Sequence, residues 1–197
     1  MLTKHSSKRP RILIGKDTRK SGDMLEAALT AGLCSMGAKV IPLGVVPTPA
    51  VAYLTRYYKA DAGVVISASH NPCEYNGIKF FNSDGYKLSD GIENEIESYI
   101  LGEKAIEELP THGKVGYVSA NHNAVEDYVA FAVSTIDCRL DGMKIAVDCA
   151  NGASYETAFK ALNKLGANVE AIHNTPDGVN INHMCGSTPV SYTHLTL

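Results

Sequence analysis

The stretch from Gly63 to Phe81 constrains the fold of this chain more than any other. It opens with a short β-branched run, Gly63 to Ile66, which is typical of a strand covered on both faces. The run stops at Ser67-Ala68-Ser69-His70-Asn71-Pro72, where Pro72 pushes Asn71 toward extended backbone and ends strand pairing. The carboxyl end of such a strand is where open α/β sheets bind ligands. The sequence therefore predicts a polar, ligand-binding loop at this position.

The pattern of strand, polar loop and helix occurs twice along the chain. The first copy predicts a strand at Arg11–Gly15, a helix capped by Ser21 or Asp23, a strand at Lys39–Leu43 and a helix at Ala50–Tyr58. The second copy starts at Lys144–Asp148 and continues with a helix over 154–165 and a strand over Asn168–Ile172. Two tandem units favour repeated α/β domains over one long sheet.

Three further elements are predicted after the polar loop. Ile78–Asn82 and Tyr86–Leu88 flank Asp84-Gly85, a hairpin signal that adds a short antiparallel edge to the sheet. A helix follows with a capping-box start at Asp90 and Glu93, and the apolar spacing predicts a buried seam. That seam consists of Ile92, Ile96 and Ile100.

Composition restricts the classes of function. The 197 residues have room for one full α/β domain and part of another. A net charge of −3 without a Lys/Arg tract argues against nucleic-acid binding. Five scattered cysteines without metal-type spacing predict reduced thiols. No apolar run resembles a signal core or a membrane span, so we expect a cytoplasmic protein without a membrane partner.

The polar loop also carries a family resemblance. S-A-S-H-N-P followed by N-G-I-K-F-F resembles the phosphoserine loop of the α-D-phosphohexomutases. The resemblance extends to G-K-D-T-R-K-S-G-D-M-L-E-A-A-L (15–29), L-G-V-V-P-T-P-A-V-A-Y-L-T (43–55) and A-D-A-G-V-V-I-S-A-S-H-N-P (60–72), weakens after about Gly102, and resumes near 145–186. Within the family, similarity is greatest to the members that act on hexosamine phosphates.

The resemblance implies an α/β fold of mixed, mostly parallel sheets sandwiched by helices. It predicts a first domain over 1–120, nearly complete but without its extreme N-terminus, and a connector helix within 121–140. It predicts the start of a truncated second domain over 141–188. Residues 189–197 match nothing expected there, which indicates a non-native tail.

Ser69 is the residue that the resemblance assigns as carrier of the phosphoryl group. Ser67 faces the other way along the emerging strand and is predicted to be structural. A serine-hydrolase interpretation of Ser69 and His70 is disfavoured because adjacent side chains on an extended segment point apart. His70 is instead expected to contact phosphate or orient the loop. Asn71 is expected to bind phosphate or to fix the loop through its side chain.

Arg19 and Lys79 are the predicted catalytic cations. Each follows a predicted strand, on segments that are expected to converge at the carboxyl edge of one sheet. The family uses an arginine and a lysine at the matching positions near the transferring phosphoryl group. Lys16 and Lys20, by contrast, are predicted to be solvated.

The implied reaction moves a phosphoryl group between two positions of a hexosamine phosphate through a 1,6-bisphosphate. The resemblance also implies Mg²⁺, bound by a phosphate oxygen on Ser69 and by three aspartates of a D-G-D-G-D-R-type loop. That loop is absent from these residues, and Asp177-Gly178 is a lone turn. The sugar-selecting and phosphate-gripping loops are absent too, so we expect the 197 residues alone to be inactive.

Two alternatives remain open from the sequence. One is a phosphomannomutase or phosphoglucomutase, because sugar choice lies in segments that this sequence lacks. The other is a non-catalytic sugar-phosphate-binding domain that uses the loop as an anion nest. Phosphate on Ser69 distinguishes an enzyme from a binding domain.

Overall fold

A five-stranded mixed sheet forms the larger part of the molecule. The computed structural model describes residues 8–106, 108–121 and 123–188. The sheet has the strand order β4-β3-β1-β2-β5, in which β4 alone runs antiparallel to its neighbour. Its strands are β1 (Arg11–Lys16), β2 (Lys39–Val45), β3 (Ala62–Ile66), β4 (Ile78–Asn82) and β5 (Tyr117–Val118). The α/β class with a mostly parallel sheet and an antiparallel edge is confirmed.

Helices cover both faces of this sheet because side chains alternate along each buried strand. On one face Ile12 and Ile14 pack beneath the apolar stripe of α1 (Ser21–Ser35), which includes Leu25 and Leu29. On the other face Leu13 packs with α2 (Thr48–Tyr57) and with α4 (Ala124–Ser134). The Tyr53 and Phe131 rings, one from each of these helices, stack with centroids 3.8 Å apart.

A separate two-stranded parallel sheet lies in the second half of the chain. Its strands are β6 (Lys144–Asp148) and β7 (Asn168–Ile172), joined by α5 (Tyr155–Lys164). Helices α4 and α5 are linked by ion pairs from Glu126 to Lys160 and Lys164. The prediction of two sheets instead of one long sheet is confirmed. The numbered domain boundaries stay predictions.

Several local predictions are wrong. No side chain caps α1: Ser21 is its first helical residue and its Oγ donates to Asn76 Oδ1 at 2.9 Å. Helix α3 (Asp90–Ile100) has no side-chain cap and no buried residue, and Ile100 is 77% exposed, so its apolar spacing does not form a buried seam. The hairpin after β4 is reduced to one bridge, between Phe81 and Lys87.

The predicted tail over 189–197 and the first seven residues of the predicted first domain lie outside the described residues. Among the described residues, none of the helices combines the length and the apolar character needed to cross a membrane.

Candidate active site

The polar loop lies where the sequence predicts it, at the carboxyl end of β3. Strand β1 lies beside β3 in parallel, so the residues that follow both strands meet at one edge of the sheet. The N-terminal end of antiparallel β4 reaches the same edge, because Ile78 pairs with Ile66. The fold therefore brings the segments after β1 and β3 and the start of β4 together.

Ser69 lies exposed at the tip of this loop, in an uncommon backbone conformation. Its φ of 57° falls in the left-handed region. The Ser69 N–H donates to Ser67 Oγ at 3.1 Å, and the Ser67 N–H donates to the Gly77 carbonyl at 2.8 Å. Ser67 is buried, 8% exposed, so its predicted structural role agrees with its position.

Gly77 closes the base of the loop at a point with no room for a side chain. A Cβ atom there would lie 2.9 Å from the Ser67 carbonyl oxygen, which is closer than real Cβ atoms approach. Only glycine lets the two ends of the loop come this close. The narrow base projects Ser69 away from the sheet and into solvent.

Arg19 supports the loop from the sheet side. It is 2% exposed, forms an ion pair with buried Asp17, and its Nη2 donates to the Asn71 carbonyl at 2.6 Å. Longer contacts of 3.4 Å join the same nitrogen to the carbonyls of Ser69 and Pro72. Arg19 and Ser69 are thus brought together as predicted. In this structure, however, the guanidinium contacts the loop backbone and not the Ser69 hydroxyl.

Asn182, which the sequence analysis missed, holds the loop from another direction. Its Nδ2 donates to the carbonyls of Ser69, at 3.0 Å, and Asn71, at 2.9 Å. The only available signal was that residues 145–186 resemble the same family as the loop. Neither spacing nor residue type identifies a contact between positions more than a hundred residues apart.

His70 and Asn71 are both exposed at the loop tip. Within the described part of the chain, neither side chain makes a hydrogen bond or an ion pair. The loop is therefore fixed through the Asn71 backbone carbonyl, and the predicted fixing through its side chain is wrong. An exposed imidazole beside Ser69 is accessible to a ligand, and its role as a phosphate contact stays a prediction.

Lys79 lies on β4 opposite Val65, near the edge of the sheet that carries the loop. Its side chain is exposed and has no hydrogen bond or ion pair with any described residue. The structure thus offers a free ammonium group at this edge. Its contact with the phosphoryl group on Ser69 stays a prediction.

The predicted solvation of Lys16 is wrong. Its Nζ lies 2.6 Å from Asp23 Oδ1 and 2.5 Å from Glu26 Oε2, and its side chain is only 14% exposed. Although burial works in the opposite direction, these two carboxylates raise the pKa of Lys16. Two acidic residues in α1 therefore neutralise the cation nearest the end of β1, whereas Lys20 is exposed as predicted.

A cleft lies beside the site, between the segment after β1 and the second half of the chain. Its volume is about 310 Å³, and it is lined by residues from Lys16 to Lys20 and by Tyr155, Pro176, Asp177 and Gly178, among others. The Asp177 carboxylate accepts hydrogen bonds from the N–H groups of Val179 and Asn180, as expected for a simple turn.

The described residues do not fit the Mg²⁺ that the resemblance implies. The Asp17 carboxylate accepts hydrogen bonds from the Arg19 N–H and from its guanidinium. Asp148, His173 and Cys185 bring potential ligand atoms within 4.8 Å of one another, but burial raises the pKa of the Cys185 thiol. Mg²⁺ takes oxygen ligands, and a protonated thiol is a poor ligand for any metal. No step is therefore assigned to a metal held by these residues.

Comparison with known proteins identifies the family. Residues 1–107 match the family model of phosphoglucomutase/phosphomannomutase, alpha/beta/alpha domain I. The chain is 60% identical over 190 residues to the phosphoglucosamine mutase of Acetivibrio thermocellus. This alignment covers 96% of this chain and 42% of that protein. It is 61% identical over 188 residues to the phosphoglucosamine mutase of Clostridium acetobutylicum, covering 95% of this chain and 42% of that protein.

A solved structure leads to the same family. The phosphoglucomutase/phosphomannomutase family protein of Burkholderia thailandensis matches with a TM-score of 0.70 and 26% identity, covering 88% of this chain and 38% of that one. The chain thus spans well under half the length of the relatives that it matches. Its fold, its loop motif and these matches agree: the chain belongs to the phosphoglucomutase/phosphomannomutase family.

Proposed function

We propose that the protein to which this chain belongs interconverts glucosamine 6-phosphate and glucosamine 1-phosphate. The observation that carries the proposal is the position of Ser69. Its hydroxyl is exposed at the tip of a loop whose backbone is fixed by Arg19, at the ligand-binding edge of an α/β sheet. The high identity to two phosphoglucosamine mutases supports the aminosugar as substrate.

The proposed reaction is a pair of phosphoryl transfers. In the first, the bond between phosphorus and Ser69 Oγ breaks while a bond forms to the free hydroxyl of the sugar phosphate. The sugar hydroxyl releases its proton, and the serine oxygen takes one up. The 1,6-bisphosphate then turns over, and its other phosphoryl group returns to Ser69. Such transfers depend mainly on positioning and on positive charge around the phosphoryl oxygens.

The remaining predicted site residues have supporting roles in this proposal. The free ammonium of Lys79 and the exposed imidazole of His70 are the groups available to contact phosphate oxygens directly. Asn71 lies beside them, and its side-chain amide is free to bind the same phosphate. Arg19, paired with Asp17, fixes the loop through its backbone carbonyls. Mg²⁺, if used, takes ligands from parts of the protein other than these residues.

The test is replacement of Ser69 by alanine in the whole protein. We expect S69A to lose the covalent phosphate, seen by intact mass, and to lose interconversion of the two glucosamine phosphates. The matched control is Ser67→Ala, which removes a hydroxyl that only supports the loop backbone; this variant should still carry phosphate. The 197-residue chain alone, assayed in parallel, is expected to show no turnover.

The alternatives make different predictions in the same experiment. Faster turnover of mannose or glucose phosphates than of glucosamine phosphates would assign the protein to the phosphomannomutase or phosphoglucomutase activity. A wild-type protein that carries no phosphate, and an S69A variant that binds sugar phosphate equally well, would instead indicate a binding domain without catalysis. Full mutase activity in S69A would exclude the proposed mechanism.

A further inference from the structure

We propose that Asn182 is a positioning residue for the Ser69 loop, acting from the second half of the chain. This inference rests on the proposed function, because it concerns how the Ser69 hydroxyl is presented for phosphoryl transfer. Asn182 contacts the carbonyls of Ser69 and Asn71 and makes no hydrogen bond with the Ser69 hydroxyl. It acts through the backbone of the loop.

The chemistry of the contact fixes the orientation of the Asn182 amide. Both of its partners, the carbonyl oxygens of Ser69 and Asn71, are acceptors only. The side-chain NH₂ group supplies two donors, one for each carbonyl, and the side-chain oxygen cannot replace it. A carboxylate of the same shape would place an anion against two carbonyl oxygens. The site therefore distinguishes Asn from Asp, although the two residues have nearly the same size.

The backbone of Asn182 is itself constrained. Its φ is 58°, in the left-handed region that asparagine tolerates better than most residues. The Asn182 N–H donates to the Ala150 carbonyl at 2.9 Å, which ties this segment to the end of β6. The side chain is thus held at a fixed point and is not at the end of a free loop.

Two other contacts hold this segment against the larger sheet. The Lys20 N–H donates to the Gly178 carbonyl at 2.9 Å, and a Cβ atom on Gly178 would lie 2.9 Å from Lys20 Cβ. The second contact is indirect: Thr18 Oγ1 donates to the carbonyl of Asn151 at 2.5 Å, and Asn151 Nδ2 donates in turn to the Asn180 carbonyl at 3.4 Å. The segment after β1 therefore provides a support on which the Asn182 segment rests.

Arg19 and Asn182 converge on the same two carbonyls. Arg19 approaches from the segment after β1, and Asn182 approaches from residues 177–186. With its carbonyls engaged by both donors, the loop keeps Ser69 in its left-handed conformation and leaves the hydroxyl exposed. Loss of one donor frees the loop tip, and misplacement of a reacting group by about 1 Å costs roughly 10²-fold in rate.

The experiment compares Asn182→Asp with Asn180→Asp. Both change one amide to a carboxylate in the same segment, two residues apart. The Asn180 Nδ2 donates to the Thr175 carbonyl and does not contact the Ser69 loop, so N180D controls for a general effect on the segment. Asn182→Gly is the second variant, because glycine accepts the positive φ and removes the side chain without adding charge.

Two measurements are made. In the 197-residue chain, ¹H–¹⁵N NMR follows the amides of Ser69, His70 and Asn71. In the whole protein, kcat and KM are measured with glucosamine 6-phosphate, using thermal unfolding to confirm folding. We expect N182D and N182G to shift the loop amides and to lower kcat by about 10- to 100-fold, with KM within about twofold. N180D should leave both the amides and kcat unchanged.

The outcomes separate this inference from the proposed function. Unchanged loop amides in folded N182D and N182G would overturn the role of Asn182, and so would equal losses of kcat in N180D and N182D. Full activity in S69A would overturn the proposed function instead. The NMR comparison does not depend on turnover, so it still decides whether Asn182 fixes the loop.

Discussion

The five-stranded sheet and the two-stranded sheet follow the same local sequence pattern, but they bury it to different degrees. In β1 the four central residues are buried, and in β3 the last four residues are buried. In β6 and β7 no residue is fully buried, and the pattern alternates between exposed and half-buried positions. A shared pattern of strand, loop and helix therefore does not dictate a shared core.

The difference follows from what lies around each strand. Strand β1 has a neighbouring strand on each side, and helices cover both faces of its sheet. Within the described part of the chain, β6 pairs only with β7. The Ser69 loop thus grows from the tightly packed half, whereas the half with less packing contributes the Asn182 amide. The loop and the amide that holds it therefore come from halves of the chain that are packed to different degrees.

The largest difference in the free energy of unfolding is expected between variants of two Asp–Arg pairs, one in each half. Asp17 and Arg19 are both nearly fully buried, whereas Arg139 and Asp141 are exposed by 61% and 65%. Asp17→Asn leaves the Arg19 charge buried without its partner, and we expect it to lower the free energy of unfolding by about 3–5 kcal/mol. Asp141→Asn should cause no measurable change, because exposed pairs contribute little.

Urea unfolding of the two variants measures this contrast. The Asp17 variant should also disturb the amide signals of the Ser69 loop, since Arg19 holds that loop. If both variants unfolded at the same urea concentration as the wild type, the Asp17–Arg19 pair would not be the buried support described here.

A smaller difference in unfolding free energy is expected between variants of apolar positions in the two sheets. Leu13 is fully buried in the centre of β1, whereas Ile145 is half-buried in β6. Leu13→Ala removes a side chain from a closely packed core and should cost about 2–5 kcal/mol of unfolding free energy. Ile145→Ala should cost less than half as much, because its surroundings are only partly closed. Equal costs in urea unfolding would show that the two sheets are equally well packed.

The local elements of the site could be predicted from the sequence. The β-branched run of β3, its end at Ile66 and the exposure of Ser69 all follow from short-range rules, and all are found. An antiparallel edge that includes Ile78–Asn82 is also predicted, but from a hairpin with Tyr86–Leu88. In the structure the antiparallel partner of β4 is β3.

The features that the sequence does not predict all depend on contacts between elements that are separate in the sequence. Lys16 is predicted to be solvated by default, since no pattern in the sequence pairs it with a partner. Asp23 and Glu26 reach it only once α1 folds against the end of β1. Ile100 continues a helical apolar pattern, but periodicity does not reveal whether another element covers that face. Asn182 meets the Ser69 loop only through the packing of the two halves of the chain.

The smallest effect on stability is expected where the end of α2 contacts α4, and it appears as a dependence of the unfolding free energy on pH. Burial, and then a hydrogen bond to the Asp127 carboxylate at 2.5 Å, raise the pKa of Tyr58 from 10.0 to about 12. Between pH 10 and 12 the unfolded chain loses this phenolic proton while the folded chain keeps it. The stabilisation is therefore complete below about pH 10 and is lost as the pH rises toward 12. Tyr58→Phe should make the fall in unfolding free energy over that range less steep, and Asp127→Asn should reduce it partly. An unchanged slope in Tyr58→Phe would mean that this phenol is not held in its neutral form by α4.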